Sequence, residues 1–368
     1  MRDSNVKSIH RLSVLCYSLL ALALILPDTA SAQMGSKGRK DRVPEYFSEF
    51  DLNSNGQLER DEWVGRGNFD RLDDNRDGIL DMGEFRKMYA PGAGKVLLEK
   101  PILPANPPVM DPSLEQDRLS EEEQNPADRC AISRGRKCRD GDELAIRRGL
   151  QPTGMSPVFP AAALCPGVDE TFATDYTKKT GRGMHGGIDI PVDFGTPMLA
   201  AADGTVVGVF AGEHNARGMA VVLRHSPEDT GLPMWTYTEY GHLDAMPELV
   251  IGQRVRMGEA IGPTGNSGTN PGAPGSQVNN RRPAIHFAVY YSKSRRFSSI
   301  RDYLIPDNAH WMDSHAFYRR HGPYDTPAMI ALAEADKATA IPVLYADGQT
   351  EPANTRRIWP YACERAKP

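Results

Sequence analysis

The sequence predicts a mainly β domain in the second half of the chain and a small α-helical module ahead of it. Two observations carry the first expectation. From about Ser156, short apolar runs such as Thr205–Phe210 and Ala220–Leu223 alternate with glycine-bearing turns, and helical periodicity is almost absent until the tail. The third observation is a repeat between residues 44 and 90, where an Asp/Asn-rich pattern occurs twice. A chain of 368 residues has room for two or three domains, and 29 prolines point to substantial linker. The formal net charge of −5 gives no indication of nucleic-acid binding.

Residues 1–32 read as a secretory leader. Arg2, Lys7 and Arg11 form a positive start, Leu12–Leu26 is an apolar run, and Ala30-Ser31-Ala32 supplies small residues for cleavage before Gln33. The run is short for a membrane span, so no stable membrane insertion is expected after cleavage. The expected compartment is the periplasm or the outside of the cell. Removing Cys16 with the leader leaves Cys130, Cys138, Cys165 and Cys363. An even count in an oxidising compartment suggests two disulfides. Four cysteines allow three pairings. Cys130–Cys138 is the local choice, and Cys165–Cys363 would then tie the tail to the start of the β domain.

Residues 33–90 hold the repeat. The first copy runs from Asp51 to Glu62 and the second from Asp73 to Glu84. Both match the EF-hand calcium loop, with oxygen donors at positions 1, 3 and 5, glycine at 6 and a bidentate glutamate at 12. The expected calcium ligands are Asp51, Asn53, Asn55, Gln57 and Glu62 in the first loop. In the second they are Asp73, Asn75, Asp77, Ile79 and Glu84. Leu58 and Ile79 are read as the apolar eighth positions that pair the loops. Phe47, Phe50, Phe69, Leu72 and Phe85 are expected to pack the flanking helices.

Residues 91–127 read as a proline-rich, acidic, extended linker. Residues 128–154 form a disulfide-closed lead-in. Its basic cluster, Arg134, Arg136, Lys137 and Arg139, reads as a solvated face.

The densest chemistry lies in Met184–Pro191, which reads Met-His-Gly-Gly-Ile-Asp-Ile-Pro. Gly186, Gly187 and Pro191 argue against a helix. The better reading is a glycine turn feeding a short strand, from which His185 and Asp189 could share one metal. A third ligand is then needed, because catalytic zinc takes three protein ligands and keeps a position for water. His286 is the candidate, in the β-rich run Pro283–Tyr290. Tyr240-Gly241-His242-Leu243 places another histidine beside a glycine.

Taken in order, these pieces resemble the lysostaphin-like (LytM-type) zinc endopeptidases that cut peptidoglycan cross-links. The pieces are His185-x-Gly187-x-Asp189, Gly195-Thr196-Pro197, Ala201–Val206, Val221–His225, Tyr240–Leu243, Val255-x-x-Gly258-x-x-Ile261-Gly262, Gly265–Thr269 and His286-Phe287. The resemblance covers roughly residues 155–292. It implies an antiparallel, barrel-like β-sandwich over 155–300, zinc on His185, Asp189 and His286, a catalytic role for His242, and peptidoglycan as the substrate. One position departs from the family. The third ligand usually lies in His-x-His, and the first of that pair is here Ala284. Arg281 and Arg282 lie just upstream and could supply a cationic donor in its place, although arginine stays protonated and cannot act as a base. The alternative to an enzyme is a non-catalytic cell-wall binding or regulatory protein that keeps the fold.

The resemblance implies that the long Gly/Pro/Ser/Asn-rich stretch 263–280 walls a substrate groove, and a loop of this length is more often functional than idle. The C-terminal extension, 301–368, lies outside the resemblance. Pro327–Ala338 reads as a helix, and His310, His315 and His321 read as surface histidines. His214 reads the same way. His225, inside a matching strand, is a candidate partner standing behind the metal ligands.

Overall fold

The computed structural model describes residues 44, 47–48, 51–62, 73, 75–89, 105, 107–134, 138–165, 168, 171–173, 184–212, 216–268 and 282–366. The expected leader lies outside the described residues, as do Phe50, Phe69, Leu72, Arg136, Lys137, His214, Arg281 and the 269–280 part of the long loop. No helix among the described residues is long and apolar enough to cross a membrane.

The two acidic loops meet through strands β1 (Leu58–Glu59) and β2 (Ile79–Leu80), which pair antiparallel. The register sets Leu58 against Leu80, both fully buried, and Glu59 against Ile79. The eighth position of the second loop is therefore Leu80 rather than Ile79, which sits one place earlier and is half-buried. Helix α1 (Met82–Tyr89) follows, and the Phe47 and Phe85 rings meet edge to face at 5.2 Å. Within each loop the carboxylates bind backbone amides. Asp51 accepts from Asn55 and Gly56, and Glu62 reaches back to Asn53 and Glu59. Asp73 and Glu84 repeat this with Asp77, Gly78, Asn75 and Asp81. Gly56 and Gly78 take φ of 81° and 83°, a turn that glycine makes without strain.

Residues 107–127, expected as extended linker, are instead packed on the β domain. Leu114 and Leu119 are buried, and the Leu119 amide donates to the Phe297 carbonyl at 2.7 Å. Short helix α2 (Leu114–Asp117) ends in a fully buried carboxylate, which binds Arg224 (2.7 Å) and Arg295 (2.7 Å). Arg224 also binds Asp111 at 3.1 Å. Prolines stiffen this stretch, but its leucines and aspartates have partners waiting on the sheet. Helix α3 (Pro126–Ser133) is capped by the Asn125 side chain on the Ala127 amide and stops at Arg134 in a left-handed conformation. Helix α4 (Gly141–Arg147) packs beside it. Both expected disulfides are formed, with Cα–Cα separations of 5.4 Å for Cys130–Cys138 and 4.9 Å for Cys165–Cys363.

The β domain begins with β3 (Ser156–Val158) and β4 (Ala163–Leu164). There follow β5 (Ile188–Pro191), β6 (Pro197–Leu199), β7 (Gly204–Phe210), β8 (Ala220–His225), β9 (Trp235–Gly241), β10 (Arg254–Val255) and β11 (Ala260–Pro263). Then come β12 (Ala284–Ser292), β13 (Phe297–Ile300), β14 (Tyr303–Pro306) and β15 (His310–Met312). The main sheet is antiparallel in the order β10-β7-β8-β9-β12-β15, with β5 also paired to β12. β5 covers the start of one edge of β12 and β15 the end of it. The runs are β-branched and apolar, and β7, β8, β9 and β12 are buried along nearly their whole length.

The tail is part of this fold. Beyond β15 it adds β16 (Ala338–Ala340), which runs parallel to β3. β17 (Val343–Tyr345), β18 (Thr350–Glu351) and β19 (Ala362–Arg365) form a small sheet with β4. Trp311, Trp359 and Tyr361 join the core. The expected Pro327–Ala338 helix is only Thr326–Ile330, capped by Asp325, because the chain turns into β16 soon after.

Candidate metal centre

The register of three strands assembles the site. β12 sets His286 directly opposite Asp189 of β5 on one side and Gly241 of β9 on the other. His185 arrives from the turn preceding β5. Its Nε2 lies 3.1 Å from Asp189 Oδ1 and 3.2 Å from His286 Nδ1, and His286 Nδ1 lies 3.1 Å from the same oxygen. Asp189 and His286 are buried. Among the described residues this is the group of three His, Cys, Asp or Glu side chains whose donor atoms lie within 4.8 Å of one another, as a metal site requires.

Hydrogen bonding behind the donors decides their protonation. The Nδ1 of His185 is 2.6 Å from the Thr171 carbonyl oxygen. A carbonyl only accepts, so Nδ1 carries a hydrogen, which leaves Nε2 as the nitrogen turned inward to act as a ligand. Burial pushes His286 down to about 3, which keeps it neutral. Two imidazole nitrogens and a carboxylate oxygen thus converge on one point. Such an arrangement calls for a cation between them, and the donor set suits one.

Two glycines make room. A Cβ on Gly187 would lie 2.7 Å from the His286 ring, and one on Gly241 3.2 Å from the His286 Cβ. His242 follows Gly241 with φ of 65°, an uncommon conformation for a residue with a side chain. Its amide donates to the Arg217 carbonyl (2.7 Å) and its carbonyl accepts from Gly265 (2.8 Å). Its Nδ1 donates to the Ser267 carbonyl at 2.7 Å, so a bare Nε2 faces Asp189 at 3.8 Å. Arg217, whose carbonyl holds the His242 amide, is itself fixed by Glu239 and the Tyr290 hydroxyl (2.9 Å).

The family comparison bears on this site directly: residues 183–297 match the model of peptidase family M23, and residues 45–64 and 69–89 match an EF-hand model. Residues 183–297 are a peptidase family M23 domain. Similar proteins include an uncharacterized metalloprotease of Haemophilus influenzae, 40% identical over 88 residues, which are 24% of this chain and 17% of that protein. The DD-carboxypeptidase/endopeptidase Mpg of Neisseria meningitidis is 37% identical over 89 residues, 24% of this chain and 18% of its own. The chain thus spans less than a fifth of the length of these relatives. The catalytic domain of the antimicrobial peptidase lysostaphin from Staphylococcus simulans aligns at 22% identity and a TM-score of 0.27, covering 35% of this chain and 84% of that one. The assignment rests on the sequence matches.

Other candidates fall outside the M23 centre. Both nitrogens of His225 are taken, Nδ1 by the Asp203 carbonyl (2.6 Å) and Nε2 by the Thr238 hydroxyl (2.7 Å), so it is a core histidine rather than a partner of the ligands. His310 is half-buried against Tyr291, and His315 is buried beside Asp313 and parallel to Trp359. Only His321 is at the surface, as all three were expected to be. Ala284 starts β12 opposite Pro191 and is buried. It shares the sheet face of His286, two residues on. Arg282 is also buried.

Sequence reasoning missed Thr171, whose carbonyl fixes the His185 tautomer, since a backbone acceptor leaves no mark in the sequence. Ser267, which does the same for His242, lay inside a matching piece but was given no role. Arg134 was expected in solvent, yet its guanidinium sits against the His185 turn.

Proposed function

We propose that this chain is an exported zinc endopeptidase that hydrolyses the peptide cross-links of peptidoglycan, with a calcium-binding EF-hand pair ahead of it. The observation that carries the reading is the convergence of His185 Nε2, Asp189 Oδ1 and His286 Nδ1, with the bare Nε2 of His242 facing the same point. The M23 assignment and the names of the relatives support peptidoglycan as the substrate class. The even set of paired cysteines fits the exported compartment.

His185, Asp189 and His286 would hold the zinc, which would supply the Lewis acidity to polarise a peptide carbonyl and acidify water. The protein's own part follows from the tautomers. Thr171 locks His185 with Nε2 inward, and burial keeps His286 neutral. Ser267 locks His242, so that its Nε2 accepts the proton of the attacking water and then hands it to the leaving amine. Ala284 neither donates nor accepts a proton, so His242 serves alone where the family pattern has two histidines. That position is also the one observation favouring a non-catalytic cell-wall binding protein.

In the EF-hand pair, the inward carboxylates of Asp51, Glu62, Asp73 and Glu84 are preset for calcium. The carbonyl oxygens of Gln57 and Ile79 and the side chains of Asn53, Asn55, Asn75 and Asp77 complete the proposed ligand sets.

Metal analysis of the purified mature protein tests the zinc assignment. It should contain about one equivalent of tightly held zinc, lost in His286→Ala. A protein that holds no zinc, or holds it equally well in that variant, contradicts the reading.

A further inference from the structure

The turn that carries His185 is braced from outside the M23-matched segment. Arg134, which ends α3, donates from one terminal nitrogen to the Met184 carbonyl and from the other to the His185 carbonyl at 3.2 Å. Its guanidinium lies 5.2 Å from the centre of the Trp311 ring. Trp311, on β15, donates its indole N–H to the Ala131 carbonyl of α3 at 3.0 Å. The fit is close, for a Cβ on Gly186 would lie 2.7 Å from the Trp311 ring and 3.0 Å from an Arg134 nitrogen. The Cys130–Cys138 bond closes the loop around Arg134, and Gly141 packs against its Cα with no room to spare: an added Cβ would sit at 3.2 Å.

Two successive carbonyls turned to one side of a tight turn repel each other, and both need donors. A planar guanidinium meets them together with fixed geometry. With these carbonyls drawn back onto Arg134, the His185 ring is sent forward, its Nδ1–H onto Thr171 and its Nε2 towards Asp189. We propose that Arg134 is a positioning residue for the metal centre: held by the Cys130–Cys138 loop, it orients the His185 turn so that Nε2 points at Asp189 and His286. The proposal rests on the reading of that cluster as a metal site. It assigns a role to a residue, and to a disulfide, that lie outside the segment matching the family.

The test uses the full secreted chain with Arg134→Met and Arg134→Lys. Three quantities are measured: zinc affinity by chelator competition, the His185 imidazole 15N and N–H signals of the metal-free protein, and the metal-free thermal midpoint. Arg134→Met should weaken zinc binding by about 10- to 100-fold, the usual effect of losing a group behind a ligand. It should also lose the protected Nδ1–H signal of His185. Arg134→Lys, with a point charge in place of a fork, should fall between the two while keeping the parental thermal midpoint. If Arg134→Met does not fold, Arg134→Lys decides by the same affinity comparison. Parental affinity and an unchanged His185 signal in the folded variants would overturn the proposal. If the parent binds no zinc, the metal reading itself fails. The metal-free His185 signal then judges Arg134 alone: retained in the variants it overturns the proposal, lost only in them it supports it.

Discussion

At the scale of single residues, four histidines of this β domain do different work because of what stands behind each. His185, His242 and His286 aim nitrogens at one point, whereas His225 spends both of its nitrogens on the core. Burial pushes His225 down from 6.5 to about 4. Between those values the unfolded chain binds the proton and the folded chain does not, so stability falls as pH falls from about 6.5 to about 4. Thermal melts at pH 7 and pH 4.5 should show a smaller acid-induced drop for His225→Gln than for the parent, by an amount on the order of 3 kcal/mol. An equal drop in both would show that His225 is not held neutral by burial. His185, Asp189 and His286 were legible in the sequence because the pieces that carry the resemblance contain all three, and Gly187 and Gly241 leave room for the His286 side chain. The role of Arg134 was not legible. It stands among similar basic residues, and only the fold shows which of them turns inward.

At the scale of elements, the acidic loops differ in charge. In the first, the neutral Asn53 and Asn55 are held by their amide groups to Glu59, at 3.3 and 2.7 Å. The second presents Asp73, Asp77, Asp81 and Glu84. More carboxylates favour a hard divalent cation, so the second loop should bind calcium more tightly. Calorimetric titration should find a larger loss of affinity from Glu84→Gln than from Glu62→Gln, and the opposite order would refute the ranking. The loops themselves were readable at nearly every position. The slip at Ile79 arose from counting, and the strand register that pairs Leu58 with Leu80 corrects it. The proline-rich stretch misled for a different reason. Proline content speaks to local stiffness, while the docking of residues 107–127 is decided by distant partners such as Arg224 and Phe297.

At the scale of the whole molecule, the C-terminal extension is structural. β15 extends the edge of β12 that β5 begins, and Trp311 and Trp359 fill the core. No motif announced this, because core aromatics become meaningful only once their neighbours are known. The Cys165–Cys363 bond fastens the tail, yet β19 is also held by pairing with β17 and β4. Replacing both cysteines by serine should therefore cost near the lower end of the usual range, about 2 kcal/mol, read as a lowered denaturant midpoint. A cost near 5 kcal/mol would mean that the strand pairing adds little. The central claim concerns the M23 domain as a metal-dependent peptidase, and the most direct measurement is digestion of purified, cross-linked peptidoglycan with analysis of the new amino termini released. The parent should release them, a chelator should stop it, and His286→Ala and His242→Ala should each reduce release by at least about 10²-fold. Release that persists at the parental level in His242→Ala, or in His286→Ala with chelator present, would contradict the account.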